Sequence, residues 1–177
     1  MLGAVRVTAE SLEDLVGRIA TTYGVDPNLV KATIKQESGW DVNASRYEAH
    51  LNDSSWGLMQ VLLSTAKSVL GNNSLTIQDL VRPEINITAG TKYLSSQLAR
   101  YNGNIRDAIA AYNAGSARRN KDGTYVNQGY VDSVYRYYMM YRTLGPVASV
   151  VITQGSAMNI GLIGLLAVGT LLVVSEK

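Results

Sequence analysis

A glutamate, Glu37, occupies a position in an amphipathic helix where an apolar side chain is expected. Between Asp26 and Glu37, Val30 and Ile34 mark one face of a helix, and position 37 continues this i, i+4, i+7 stripe. Asp26 suits the helix N-cap and Pro27 suits its first turn, which fixes the register. We therefore expect the Glu37 carboxyl to point toward the core at the end of this helix.

Two interpretations of Glu37 follow from this position. A carboxyl on a core-facing stripe is partly desolvated, which favours its neutral form and raises its pKa. A raised pKa is what a general acid working near neutral pH requires. Alternatively, Glu37 only ends the helix and its head group turns back to water. Position alone is compatible with both.

The amino-acid composition limits the kinds of functional site that the chain can form. The 177 residues include no cysteine, which excludes disulfides and thiolate chemistry. The single histidine, His50, leaves little scope for a histidine-based metal site or a Ser-His-Asp triad, and we expect neither a metal nor a cofactor. A net charge of +2, with one short basic cluster at 118–121, does not indicate nucleic-acid binding. Tyrosine occurs 11 times and phenylalanine not at all, a bias that suits a sugar-binding groove.

Residues 1–145 are predicted to form one helical domain, so the predicted fold class is mainly α. Residues 41–55, rich in Asn, Asp and Ser, and the polar residues 116–129 are interpreted as loops. No strand is convincing, although the first loop could hide a short hairpin. Apolar periodicity predicts a first helix that begins near residue 8 or 11 and ends at residue 23. Further helices are predicted at 26–37, 64–70, 76–81, 83–101, 105–113 and 130–141.

Residues 146–177 form a second region of different composition. No charged side chain occurs in 147–174, and 157–174 is almost wholly apolar. A helix rises about 1.5 Å per residue, so this stretch is long enough to cross roughly 30 Å of hydrocarbon. We expect a C-terminal transmembrane helix, with a buried hairpin of a larger assembly as the alternative. Residues 1–7 contain no apolar run of signal-peptide length, so the chain is expected to be tail-anchored.

Four short motifs follow one another along residues 37–134. Any one is weak, because a tetrapeptide recurs by chance, whereas all four in this order form a strong signal. They are Glu37-Ser38-Gly39-Trp40, Gly57-Leu58-Met59-Gln60, Ala110-Ala111-Tyr112-Asn113-Ala114-Gly115, and Gly129-Tyr130-Val131 with Val134. Together they resemble the soluble-lytic-transglycosylase (SLT) domain of the lysozyme-like superfamily, related in fold to goose-type lysozyme. The resemblance covers roughly residues 10–142.

The resemblance implies an enzyme that cleaves the β-1,4 bond between N-acetylmuramic acid (MurNAc) and N-acetylglucosamine (GlcNAc), with peptidoglycan glycan strands as its partner. By its position in the first motif, Glu37 matches the single catalytic acid/base of the SLT family. Eight further residues match positions that contact the substrate or support the acid: Ser38, Gly57, Leu58, Met59, Gln60, Tyr112, Asn113 and Tyr130.

The implied roles differ among these residues. Gln60 would offer its amide to sugar, Tyr112 and Asn113 would face the acetamido sugar, and the Tyr130 hydroxyl would help to position the acid. Ser38 would support the helix end, and Gly57 to Gln60 would form the groove wall. Each has a structural alternative, since Leu58 and Met59 suit a core, Asn113 suits a helix end, and Tyr130 suits packing at a helix start.

The chain departs from the common pattern in two places. The stretch 44–55 is longer than the usual link before the second motif, and is similar to one in some phage and secretion-associated members. Val61-Leu62-Leu63-Ser64 follows Gln60, where many members have Met-Pro. The second departure affects the shape expected for one subsite.

Three functions remain open at this stage. A lytic transglycosylase needs only Glu37, because the substrate's own groups replace a second carboxylate. A hydrolytic muramidase would use a second carboxylate to activate water, for which Asp41, Glu48 and Asp53 are candidates. The third candidate is an inactive, membrane-anchored subunit that binds the cell wall. The placement of Glu37 on an apolar stripe argues against it.

The expected setting is a virion-associated enzyme that aids phage genome entry through the host periplasmic wall. The membrane would be a virion internal membrane, or the envelope entered by an ejected component, with other virion or envelope-complex proteins as candidate partners. A secretion or conjugation enzyme is the alternative.

Overall fold

The computed structural model describes residues 10–49 and 51–144. Within these ranges the chain forms seven helices and one small sheet, so the prediction of a mainly α fold is confirmed. The helices are α1 Leu12–Thr22, α2 Pro27–Glu37, α3 Leu63–Leu70, α4 Ile77–Leu80, α5 Pro83–Arg100, α6 Ile105–Ala114 and α7 Gln128–Leu144. The strands are β1 Ser45–Glu48, β2 Asp53–Trp56 and β3 Val61–Leu62.

The N-termini of the helices begin where short polar side chains can satisfy free backbone N–H groups. The Ser11 hydroxyl accepts from the backbone N–H of Asp14 at 3.1 Å and so begins α1. The Asp26 carboxylate accepts from the backbone N–H of Asn28 at 2.9 Å, with Pro27 in the first turn of α2. The predicted register of the Glu37 helix is therefore confirmed.

Helix α2 packs mainly against α7, and this pair forms one side of the core. Val30 and Ile34 on α2 and Val131 and Val134 on α7 are fully buried. A polar contact also fixes the pair, because the Tyr138 hydroxyl on α7 donates to the Asp26 carboxylate at 2.9 Å. This packing holds the C-terminal end of α2, and with it Glu37, at a fixed position.

Helix α5 lies at the centre of the remaining helices and contacts α1, α3, α4 and α6. Its buried face carries Ile87 and Leu94, which follow the helical period predicted from the sequence. Gly90 lies between them, and a Cβ at this position would come within 2.5 Å of the Met59 sulfur. The absence of a side chain at Gly90 therefore allows Met59 to pack directly on α5.

The three strands form an antiparallel meander in the order β1-β2-β3. The prediction of a loop over 41–55 is therefore wrong for residues 45–48 and 53–55, and the hidden hairpin that the sequence left open is present. Strand β1 is exposed along most of its length, so it lacks the alternation of apolar and polar residues that marks a half-buried strand. Backbone pairing with β2, from Ser45 opposite Trp56 to Glu48 opposite Asp53, stabilises it instead.

Part of the sequence-based prediction lies outside the described residues. Of the described helices, none combines the length and apolar character that a membrane crossing requires. The predicted span at 147–174, the N-terminal residues 1–7 and His50 all lie outside those ranges. The domain boundary at 145/146 stays a prediction.

Candidate active site

A cavity of about 540 Å³ opens beside the C-terminal end of α2. Glu37 forms part of its wall, together with side chains from the sheet, from α5 and from the end of α6. Residues far apart in the sequence thus meet here because α2, α5 and α6 converge on the hairpin. The polar and aromatic side chains lining it include Glu37, Arg46, Glu48, Ser55, Gln60, Tyr93, Tyr112, Asn113 and Arg118.

The Glu37 carboxyl is held by one short hydrogen bond. The Tyr130 hydroxyl on α7 donates to Glu37 Oε1 at 2.5 Å. Glu37 is half-buried, with its side chain reachable from the cavity. The contact agrees with the role implied for Tyr130, a hydroxyl that positions the acid.

Burial raises the pKa of Glu37 from 4.5 to about 7. Two neighbours act in the opposite direction, because the Tyr130 hydrogen bond and the positive charge of Arg46 both favour the ionised form. The negative charge of Glu48 adds a smaller upward effect. The result is a carboxyl whose pKa lies near neutral pH, as a group that first donates and then accepts a proton requires.

The hairpin supplies a charged pair to the cavity wall. Arg46 Nε donates to Glu48 Oε1 at 2.8 Å, and the Ser55 hydroxyl lies 3.2 Å from the same oxygen. Glu48, one of the three carboxylates considered for a hydrolase, therefore lies in the same cavity as Glu37. Asp41 and Asp53 do not line it, and each accepts from a nearby backbone N–H instead.

Tyr112 and Asn113 reach the cavity from the C-terminal end of α6. The Tyr112 hydroxyl donates to the backbone carbonyl of Met59 at 2.9 Å, and its ring lies 5.3 Å from the ring of Tyr93. Asn113 is exposed, and its side-chain oxygen accepts from Asn127 at 2.9 Å. Both predicted residues are therefore present in the cavity wall beside Glu37.

Gln60 also lines the cavity, but its amide is used within the protein. Its Nε2 donates to the carbonyls of Ala44 and Gly57, at 3.0 and 2.9 Å, and its Oε1 accepts from Ser55 at 3.0 Å. Both amide hydrogens are therefore used, which leaves only spare acceptor capacity on Oε1. The geometry gives Gln60 a role in fixing the hairpin, and the sugar contact stays a prediction.

The rest of the second motif lies behind the cavity wall. Leu58 and Met59 are 1% and 0% exposed, so their side chains belong to the core, and the substrate contact implied for them stays a prediction. Gly57 is also buried, and its φ of +71° together with Asn86 at 2.5 Å from a Cβ leaves no space for a side chain. These residues shape the backbone that carries Gln60.

Ser38 lies just beyond the cavity, at the end of α2. Its hydroxyl lies 3.3 Å from the Ile34 carbonyl, and it accepts from the backbone N–H of Trp40 at 3.2 Å. Ser38 therefore ends the helix directly after Glu37 and is not part of the cavity lining. This position is compatible with the supporting role implied for it, which stays a prediction.

Several residues of the cavity wall were not predicted from the sequence, notably Arg46, Tyr93 and Arg118. Arg46 was hidden because β1 was interpreted as loop, and Tyr93 because it lies on a helix whose core face was assigned to other residues. Arg118 could have been suspected from the sequence, since it follows the third motif closely and belongs to a basic cluster. Within the described residues, no group of His, Asp and Glu side chains is arranged to hold a metal ion.

Comparison with known sequences agrees with this geometry. The family model described as the transglycosylase SLT domain matches residues 14–131. A putative soluble lytic murein transglycosylase of Haemophilus influenzae is 33% identical over 140 residues, which cover 68% of this chain and 23% of that protein. The membrane-bound lytic murein transglycosylase C of Edwardsiella ictaluri is 36% identical over 118 residues, covering 58% and 31% of the two chains. The chain thus spans less than a third of the length of these relatives.

A solved structure with the same fold is that of the lytic transglycosylase Slt from Pseudomonas aeruginosa, in an inactive Glu-to-Gln mutant. It matches with a TM-score of 0.59 and 26% identity over 73% of this chain and 23% of that chain. The described helices therefore adopt a lytic-transglycosylase-like fold, as the resemblance implied.

Proposed function

Because the chain belongs to the transglycosylase SLT domain family, we propose that it cleaves the MurNAc-β-1,4-GlcNAc bond of peptidoglycan as a lytic transglycosylase. The observation that carries this proposal is the Glu37 carboxyl, whose pKa burial raises to about 7, on the wall of a cavity. The names of the relatives, lytic murein transglycosylases, support the same activity. The inactive Glu-to-Gln mutant of the Pseudomonas aeruginosa Slt is consistent with a reaction that depends on one glutamate.

In the first step, protonated Glu37 donates its proton to the glycosidic oxygen as the bond from that oxygen to C1 of MurNAc breaks. The GlcNAc side leaves as an alcohol, and positive charge develops at C1. The carbonyl oxygen of the substrate's 2-acetamido group can stabilise this charge, as in substrate-assisted glycosidases. One protein carboxyl is therefore sufficient for bond cleavage.

In the second step, the ionised Glu37 accepts the proton of the MurNAc 6-hydroxyl while that oxygen bonds to C1. The product is a 1,6-anhydro ring, and Glu37 is protonated again, so atoms and charges balance without water. The nucleophile is part of the same sugar, which gives it a large advantage in effective concentration over water. The hydrogen bond from Tyr130 stabilises Glu37 between the two steps, when the carboxylate is ionised.

A hydrolytic muramidase is the second candidate, and one observation favours it. Glu48 lines the same cavity as Glu37, and a second carboxylate is what activation of water requires. Glu48 also forms an ion pair with Arg46 at 2.8 Å, which holds its carboxylate in the wall of the cavity. The two reactions differ in their products, so the choice can be measured directly.

The test is digestion of purified peptidoglycan followed by mass spectrometry of the fragments. Ends with 1,6-anhydro-MurNAc are expected from wild-type protein, whereas reducing ends would assign hydrolysis instead. Glu37→Gln should abolish lysis in a zymogram while its circular dichroism spectrum stays unchanged. Glu13→Gln, on the exposed side of α1, is the matched control and should lyse normally. Undiminished lysis by Glu37→Gln would overturn the catalytic assignment.

We also propose that residues 147–174 anchor the enzyme in a membrane, on the basis of their charge-free composition. A relative named as membrane-bound is compatible with such a location. A virion component acting on the host wall during genome entry is the setting we propose. Detection of the protein in purified phage particles would support this setting, whereas its presence only in the bacterial envelope fraction would contradict it.

A further inference from the structure

Arg118 lies on the cavity wall in the loop that follows α6. Its backbone is fixed from two sides, because its N–H donates to the Ser116 carbonyl at 2.9 Å and its carbonyl accepts from Val126 at 3.1 Å. The next residue, Arg119, forms an isolated antiparallel bridge with Tyr125. The position of Arg118 is therefore set by the fold, while its long side chain can adjust at the cavity.

The charge of Arg118 is not balanced by another described side chain. Arg46, the other arginine of the cavity, pairs with Glu48 at 2.8 Å. Arg119, beside it in the sequence, pairs with Asp107 at 2.9 Å. The Arg118 guanidinium makes no hydrogen bond and no ion pair within the described part of the chain. The cavity thus carries a positive charge at its α6 side.

We propose that Arg118 binds a carboxylate of the muramyl peptide when a glycan strand occupies the cavity. The inference rests on the proposed function, since it assigns the part of that substrate which Arg118 contacts. A guanidinium presents a planar fork of N–H donors that matches a carboxylate. The sugar rings of peptidoglycan are neutral, so its anionic groups are the carboxylates of the peptide stem and, in strands without stems, of the lactyl group. Arg118 is thus a specificity determinant that stands apart from the proton transfers of Glu37.

Binding can be measured without turnover in the Glu37→Gln background. Soluble muropeptide oligomers are titrated by calorimetry into this parent and into the same protein with Arg118→Met. An exposed ion pair contributes up to about 1 kcal/mol, so the dissociation constant should rise about fivefold. Lys121→Met, an exposed cation in the same loop and outside the cavity lining, is the matched control and should leave it unchanged.

Two further ligands identify the group that is bound. On oligomers whose carboxylates have been converted to amides, the parent should bind about fivefold more weakly, and Arg118→Met should cause no additional loss. Peptide-free glycan oligomers, which keep a free lactyl carboxylate, distinguish the carboxylates of the peptide stem from that of the lactyl group. A loss caused by Arg118→Met on these oligomers assigns the lactyl group, and a loss confined to stem-bearing oligomers assigns the stem.

Equal loss on the native and amidated oligomers would overturn the inference, because it would reveal a structural role for Arg118. Unchanged binding of all ligands by Arg118→Met would overturn it as well. Neither result touches the proposed function, which is measured separately as anhydro-product release by protein with Glu37 intact. Conversely, a wild-type protein that binds the oligomers through Arg118 and never cleaves them would overturn the proposed function alone.

Discussion

The hydroxyl of Tyr130 donates to Glu37 Oε1 at 2.5 Å, joining the start of α7 to the end of α2 across 93 positions of sequence. This contact favours the ionised carboxylate, whereas burial favours the neutral form and is the larger effect. The two together set the pKa of Glu37 at about 7. Tyr130 therefore both orients the carboxyl and limits how far its pKa rises.

Tyr130→Phe removes this donor while keeping the ring. Because the hydrogen bond lowers the pKa of Glu37, its loss should raise that pKa, so the acid stays protonated to higher pH. The alkaline limb of the plot of kcat/KM against pH should move to higher pH. The value of kcat should fall on the order of tenfold because the Glu37 carboxyl is held less firmly. Tyr137→Phe, on the same helix, is the control and should leave the limb in place. An alkaline limb that stays in place or moves to lower pH in Tyr130→Phe would contradict the role of Tyr130 as a donor to Glu37.

Glu37→Gln should stabilise the protein in a pH-dependent way. The folded-state pKa of about 7 exceeds the ordinary value of 4.5, so the stability linked to protonation of Glu37 is present below the unfolded pKa. It is lost as pH rises through the folded pKa. The glutamine variant has no such loss, so its advantage over wild type should be on the order of 2 kcal/mol larger near pH 8 than near pH 5. Urea denaturation at both pH values measures this, and parallel pH curves for the two proteins would show an ordinary carboxyl.

Asn86 is predicted to hold the second motif in place behind the cavity. It is fully buried, its Oδ1 accepts from the Met59 N–H at 2.8 Å, and its Nδ2 donates to the carbonyls of Trp56 and Leu80. Asn86→Ala leaves these buried groups without partners and should cost about 3 kcal/mol of unfolding free energy. Chemical denaturation checks the value. Asn73→Ala, at an exposed turn, should change it by less than about 0.5 kcal/mol, and a similar small change at Asn86 would remove this structural role.

Two helical glycines should respond in opposite directions to the same substitution. A Cβ at Gly90 would lie 2.5 Å from the Met59 sulfur and 2.7 Å from its Cβ, whereas a Cβ at Gly17 would meet nothing within 4 Å. Gly90→Ala should destabilise the protein by about 1–3 kcal/mol through overpacking. Gly17→Ala should stabilise it by about 0.5–1 kcal/mol through better helix propensity. Thermal melts of both variants compare them, and equal shifts would show that Met59 moves aside freely.

The sequence was most informative where local rules act alone. The stripe through Val30 and Ile34 placed Glu37 correctly, because a helix of fixed register has only one face toward the core. The cap at Asp26 fixed that register. The contact between Glu37 and Tyr130 could be expected only from the family resemblance, since no local pattern pairs residues so far apart.

The sequence was least informative around the hairpin. Strand β1 is short and mostly exposed, so its formation depends on pairing with β2 and leaves no hydrophobic period to detect. For the same reason the approach of Arg46 and Glu48 to the cavity could not be foreseen. Leu58 and Met59 carry apolar side chains that suit a groove or a core equally, and only their tertiary burial decides between the two.

The most direct test of the account is a titration of the Glu37 carboxyl in the folded protein. Carbon-13 NMR of protein labelled at glutamate follows each carboxyl through pH, and the signal absent from Glu37→Gln identifies the one of interest. We expect a midpoint at about pH 7 in the wild-type protein and a higher midpoint in Tyr130→Phe. A midpoint near the ordinary value of 4.5 would show a solvated carboxylate, and Glu37 would then be no general acid at neutral pH.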